Sequence, residues 1–184
     1  MIGHNRGPSA APGAAWRRHC WAQARADLLP VLPVEVVRLR VRRAAEIGLD
    51  YRTYAGVRAT TGRDLVAFLF SAAALVVLRP GGAVPEARAA RVGGLAGIGT
   101  LVAASEAGRI AARLAAAGAR VDAAGPGPEP WAGWRATRER LLALAGRHPP
   151  DGILVIGAAP WEREWPAAAR LAGFLPAERF FAAG

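Results

Sequence analysis

Lysine is absent from this chain, so all 24 of its basic residues are arginine. A phosphate loop of the G-x-x-x-x-G-K-S/T type is thereby excluded, because that motif sets a lysine on the terminal phosphates. Cysteine occurs once, at Cys20, which rules out an intrachain disulfide and fits a reducing cytoplasm. The imidazoles are His4, His19 and His148, and with Cys20 they form no zinc-like spacing, so neither metal nor cofactor is expected. Adjacent His19 and Cys20 have no third group to orient them as a nucleophilic pair, and Gly-x-Ser-x-Gly is missing. Long apolar runs are missing too. The longest, Leu65 to Leu78, is 14 residues, against about 20 for a membrane-spanning helix. The opening residues carry no apolar core of signal-peptide type, and Arg17-Arg18 is followed by residues too polar for a twin-arginine signal. No membrane partner is expected.

Arginine excess is what the sequence does offer. The 44 alanines and 22 glycines fit a GC-rich, bacterial codon supply, which explains arginine in place of lysine. It does not explain the surplus of arginine over acid, since the same codons supply Asp and Glu. Net charge is +10, and it is uneven. Residues 1–63 hold 11 Arg against four acids, while 64–184 hold 13 against 10. A positive field of this kind favours an anionic partner, DNA or RNA among them, or else marks a solvated face.

Residues 1–15 are rich in Gly, Pro and Ala and read as a mobile tail. Within them Met1-Ile2-Gly3-His4-Asn5-Arg6-Gly7-Pro8 resembles the IGHN-x-GP opening of uncharacterised small alphaproteobacterial-type proteins, some of them phage-associated. The resemblance spans eight residues and implies no activity. Residues 16–63 form a basic helical segment: a helix from Trp16 to Leu29, another over Val34 to Gly48, and a third over Tyr51 to Thr61 capped by Asp50. From residue 64 onward the pattern changes to apolar strands alternating with helices. Strands are expected at Leu65–Phe70, Thr100–Ala104, Arg120–Ala123, Ile153–Ile156 and Arg179–Phe181. Helices are expected at Ser71–Leu78, Glu106–Ala117, Trp134–Arg147 and Pro166–Gly173. This alternation predicts an α/β domain: a three-layer, mostly parallel, Rossmann-like sheet preceded by the basic segment.

Residues 40–60 fit a helix-turn-helix spacing. Ala44 is the small residue of the first helix and Gly48 the turn glycine, with Ile47, Leu49, Tyr54 and Val57 as the apolar lock. Arg43 departs from the pattern, standing where an apolar residue belongs. Arg38, Arg40, Arg42, Arg52 and Arg63 are the candidate nucleic-acid contacts. With Tyr54 and Val57 inward, Arg52, Gly56, Ala59 and Arg63 turn outward. The face offers no Asn or Gln for adenine readout, and an ordinary helical corner explains the same spacing.

Open parallel sheets bind ligands where their strands end. Ser71, Ser105 and the Gly157-Ala158-Ala159-Pro160 loop mark three such ends, with Ser105 a candidate N-cap for the helix after it. Glu162 follows the last of these and, with Glu164, is placed where a carboxylate could act as a base, although Arg163 offers both a salt bridge. Ser71, Ser105, Gly157 and Glu162 are therefore the candidate ligand-binding residues, and a small phosphorylated compound is the ligand class. Gly93, Gly94, Gly97 and Gly99 precede a strand, the wrong context for a nucleotide loop. The six tryptophans include the near pairs Trp131/Trp134 and Trp161/Trp165, which suit core packing or a protein partner. The leading expectation is a non-enzymatic nucleic-acid-binding or regulatory protein. A ligand binder or enzyme, and an interaction subunit of a larger assembly, are the alternatives.

Overall fold

The computed structural model describes residues 32–182, so the tail and the helix expected at Trp16–Leu29 lie outside the described residues. Two compact units divide the chain, Met1–Val37 and Arg38–Gly184. The described part of the first is the start of helix α1 (Val34–Glu46), where the Val37 N–H donates to Pro33 O at 3.1 Å. No helix among the described residues is long and apolar enough to cross a membrane.

The second unit is built on five parallel strands in the order β3-β2-β1-β4-β5. They are β1 (Ala67–Ser71), β2 (Gly99–Ala103), β3 (Val121–Gly125), β4 (Ile153–Gly157) and β5 (Gly173–Pro176). Central β1 pairs Ala67 with Gly99 on one side and with Ile153 on the other. All five residues of β1 are buried, as are those of β2 and β4, which is why these strands read as unbroken apolar runs.

Period-two geometry sends alternate side chains to opposite faces. Phe68, Phe70, Val102, Leu154 and Ile156 pack on one face against α1, α2 (Tyr51–Thr61), α3 (Glu86–Gly93), α4 (Ala107–Ala116) and α7 (Ala177–Ala182). Ala67, Leu69, Leu101, Ile153 and Val155 pack on the other against α5 (Trp134–Ala145) and α6 (Trp165–Ala169). Helices on both faces make this the three-layer, Rossmann-like α/β fold that the alternation predicts. The chain steps outward from β1 to β2 and β3, then returns to lay β4 on the free side of β1. That reversal opens a crevice between the ends of β1 and β4.

Three elements differ from expectation. Ser71–Leu78 is no helix but a series of turns, with Val76 in the left-handed region at φ 59°. A β-branched residue there ends any helical run. The crossover helix is instead α3, which Pro85 precedes, Glu86 opens and Gly93 closes; its inward residues are Ala89 and Val92. The last strand is Gly173–Pro176, at the end of the stretch read as helix, and Arg179–Phe181 lies within helix α7. A four-residue strand bounded by Gly and Pro has too little β-branched or aromatic content to announce itself.

The helical corner shares the core of the first face: Ala44, Ile47, Leu49 and Tyr54 are all buried in the same cluster as Phe68 and Phe70. Gly48 turns the chain at φ 69°, and Asp50 caps α2 by accepting from the Thr53 N–H at 2.8 Å. The Thr53 hydroxyl and N–H hold the Asp50 carboxyl below its ordinary range. Arg43 supplies the tether. Its guanidinium reaches Asp64 at 3.3 Å, Leu65 O at 3.1 Å and Gly97 O at 3.0 Å. Asp64 also accepts from the Tyr54 hydroxyl at 2.7 Å. The residue that misfits a helix-turn-helix core therefore fastens the corner to the chain just before β1 and β2.

Candidate functional site

A cleft of about 360 Å³ opens where the strands end. Ala72 and Ala73 line it after β1, Ala104 and Ser105 after β2, the segment 126–130 after β3, and Trp161, Glu162 and Trp165 after β4. A second cavity of about 50 Å³ adjoins it and shares Glu129, Pro130, Trp161 and Trp165 as a common wall.

Glu162 is the anchor of this region. Only 4% exposed, it turns its Oε2 back to accept from the N–H groups of Ala158 at 2.8 Å and Ala159 at 2.9 Å. These are donors that the end of β4 and the start of a short 310 turn leave unpaired, and a glutamate three residues on is placed to take them. Ser71 completes the group. Its hydroxyl bonds the same carboxyl, and its Oγ accepts from the Ala74 N–H at 3.0 Å. Gly157 leaves the room: a Cβ there would stand 2.7 Å from Glu162 Oε2 and inside the Phe174 ring's contact distance.

Ser71, Gly157 and Glu162 thus meet where β1 and β4 part, as their positions at strand ends predict. Ser105 stands across the cleft, exposed, and is not the helix cap: the N-cap of α4 is Glu106, whose carboxylate instead accepts from the Gly81 N–H and pairs with Arg109. Arg163 makes no salt bridge to Glu162 or Glu164. Its guanidinium lies over the Phe174 ring at 5.4 Å. The strand order brings in what the sequence reading missed. Glu129 and the Pro-rich segment lie after β3, an end not counted among the candidates. The Gly125-Pro126-Gly127-Pro128 run was the available signal, because a loop of that kind directly after a strand belongs to the ligand-bearing edge.

Burial pushes the Glu162 carboxyl above its ordinary range, against the pull of the Ala159 N–H, the Ser71 hydroxyl and the Ala158 N–H. The folded state therefore binds this proton more tightly than the unfolded chain. Stability contributed by Glu162 should rise as pH falls from above its raised value toward the ordinary glutamate value of about 4.3. Urea unfolding across that range should show wild type gaining on Glu162→Gln as the solution is acidified. A pH-independent difference would show that burial does not hold the proton. Glu162→Ala should cost about 1–3 kcal/mol, because two N–H groups lose their acceptor, and this cost too should grow as the solution is acidified.

The basic corner is the second candidate region. Its arginines divide into two sets. Arg43 is bound as described, Arg58 lies 3.8 Å from Asp64, and Arg63 pairs with Asp151 at 2.7 Å. Arg38, Arg42 and Arg52 are exposed and Arg40 half-buried, and none has a hydrogen bond or ion pair among the described residues. Gly56 and Ala59 face outward with Arg52, as the helical wheel predicts. Val41, one turn before the buried Ala44, is 45% exposed.

The one histidine among the described residues, His148, lies 3.1 Å from Asp122 at the opposite end of the strands, and no cluster of three or more metal-binding side chains occurs among the described residues. Comparison with protein-family models, curated proteins and solved structures gives no significant match.

Proposed function

We propose that this is a non-enzymatic nucleic-acid-binding protein in which Arg38, Arg40, Arg42 and Arg52 meet the phosphate backbone and the α/β unit serves as scaffold. The division of the corner's arginines carries the reading. Those needed to hold the corner are already paired, and the remaining four make no ion pair among the described residues, although Glu35 and Glu46 lie on the same helix. Arg38 and Arg42 stand one helical turn apart, where like charges repel by about 0.2–0.5 kcal/mol. A bound polyanion relieves that repulsion. Phosphate contact suits the face, which carries cations and small residues but no Asn or Gln for bidentate adenine readout.

Binding of a short duplex and of a single strand, measured by fluorescence anisotropy across a salt series, tests this. Affinity should fall steeply with salt, and replacing Arg38, Arg42 and Arg52 with Ala should lower the log–log slope by roughly 3 while weakening all sequences alike. Salt-independent binding, or an unchanged slope in the triple variant, would sink the assignment. A phosphorylated ligand in the strand-end cleft is the less favoured reading, since no arginine lines it among the described residues.

A further inference from the structure

The walls of the strand-end cleft have the opposite charge from the rest of the chain. Among the residues lining it and its adjoining cavity, the charged ones are Glu129, Glu162 and Glu164, and none is an arginine. In a chain of 24 arginines and 14 acids, carboxylates should find a guanidinium readily. Glu129 and Glu164 have neither a hydrogen bond nor an ion pair to their side chains among the described residues. The cleft's other wall is aromatic. Trp165 is buried in the floor, and Trp161 stands at the mouth, 44% exposed, in both cavities at once. Leu78, 74% exposed, closes the far rim.

An indole and carboxylates without protein partners on the wall of one cleft suit one class of ligand. A planar cation stacks on the ring, where the quadrupole attracts it, and shares its protons with the carboxylate. A volume of about 360 Å³ lies within the range of small-ligand sites. We infer that the cleft binds a small organic cation, an amidinium or guanidinium on an apolar body, with Trp161 as the stacking surface and Glu129 as the charge partner. The inference is independent of nucleic-acid binding, which uses other residues.

Calorimetric titration of the full chain with benzamidine, its neutral isostere benzamide and its anionic counterpart benzoate tests the site. Benzamidine should bind at least roughly tenfold more tightly than benzamide, and benzoate should give no saturable heat. Glu129→Gln should bring benzamidine down to the affinity of benzamide, and Trp161→Ala should weaken both. Glu129 is exposed, so its variant should melt with the wild type, and the melting curve verifies this. Equal affinity for benzamidine and benzamide in the wild type overturns the proposal. So does the absence of saturable benzamidine binding at millimolar concentration, or unaltered selectivity in Glu129→Gln.

Discussion

Alanine at position 93 should destabilise the protein by about 3 kcal/mol, the upper range for forcing atoms into a filled space. Gly93 ends α3, and a Cβ built on it stands 2.7 Å from the carbonyl carbon of Ala117 and closer still to its oxygen. Both partners are backbone, at the ends of two helices on the same face of the sheet, so no side chain can swing aside. Separation of α3 from α4 is the only relief, and it would loosen Val92 and Leu114, each fully buried. Urea denaturation should show a lowered midpoint with the slope preserved. Gly56→Ala and Gly108→Ala are the controls. Both glycines lie within helices with nothing inside 4 Å of a new Cβ, so alanine should stabilise by about 0.5–1 kcal/mol at each. A loss at position 93 no larger than the change at these two would refute the close approach.

Phe180→Ala should cost more, about 3–5 kcal/mol. The ring is 1% exposed and meets Phe68 edge-on at 5.4 Å, Phe70 at 5.5 Å and Phe181 at 5.0 Å. Helix α7 spans six residues, too few to persist on propensity, so tertiary contacts hold it, and Phe180 is the largest side chain it buries. The variant should lose hydrogen-exchange protection throughout α7 before the strands do. Phe181→Ala should cost less, because that ring is half-buried and its outer side is covered by the Arg88 guanidinium at 4.5 Å. Retained protection in α7 with Phe180 removed would show that other contacts hold the helix.

The contrast between these two sites explains what the sequence could disclose. Phe68, Phe70 and the buried strands were legible because double-sided burial forces an unbroken apolar run. Helix α2 was legible from its Asp50 cap, and Ser71, Gly157 and Glu162 from their places at strand ends. Helix α3 was hidden because it is only eight residues long and turns just Ala89 and Val92 inward. The reason for Gly93 lies in a residue 24 positions away, which no local pattern contains. Helix α7 was mistaken for a strand because two adjacent phenylalanines suit either state until the partner face is known. The strand order, too, is a nonlocal fact. Glu129, after edge strand β3, shares a wall with Trp161, after β4, and no spacing along the chain joins them. The arginine surplus was visible at once, but its division into tethering and unpaired members depended on where Asp64 and Asp151 came to lie.

Strand β1 stands between the two proposed surfaces. The Arg43 tether grips the residue pair just before it, Asp64 and Leu65, and its last residue, Ser71, bonds the Glu162 carboxyl beside the cleft. Five residues of strand span on the order of 17 Å. This one is buried throughout and hydrogen-bonded along both edges, which makes it the least deformable part of the unit. It acts as a strut. A polyanion on the corner and a cation in the cleft would be held at a set distance on separate surfaces, and each could come and go without the other having to leave.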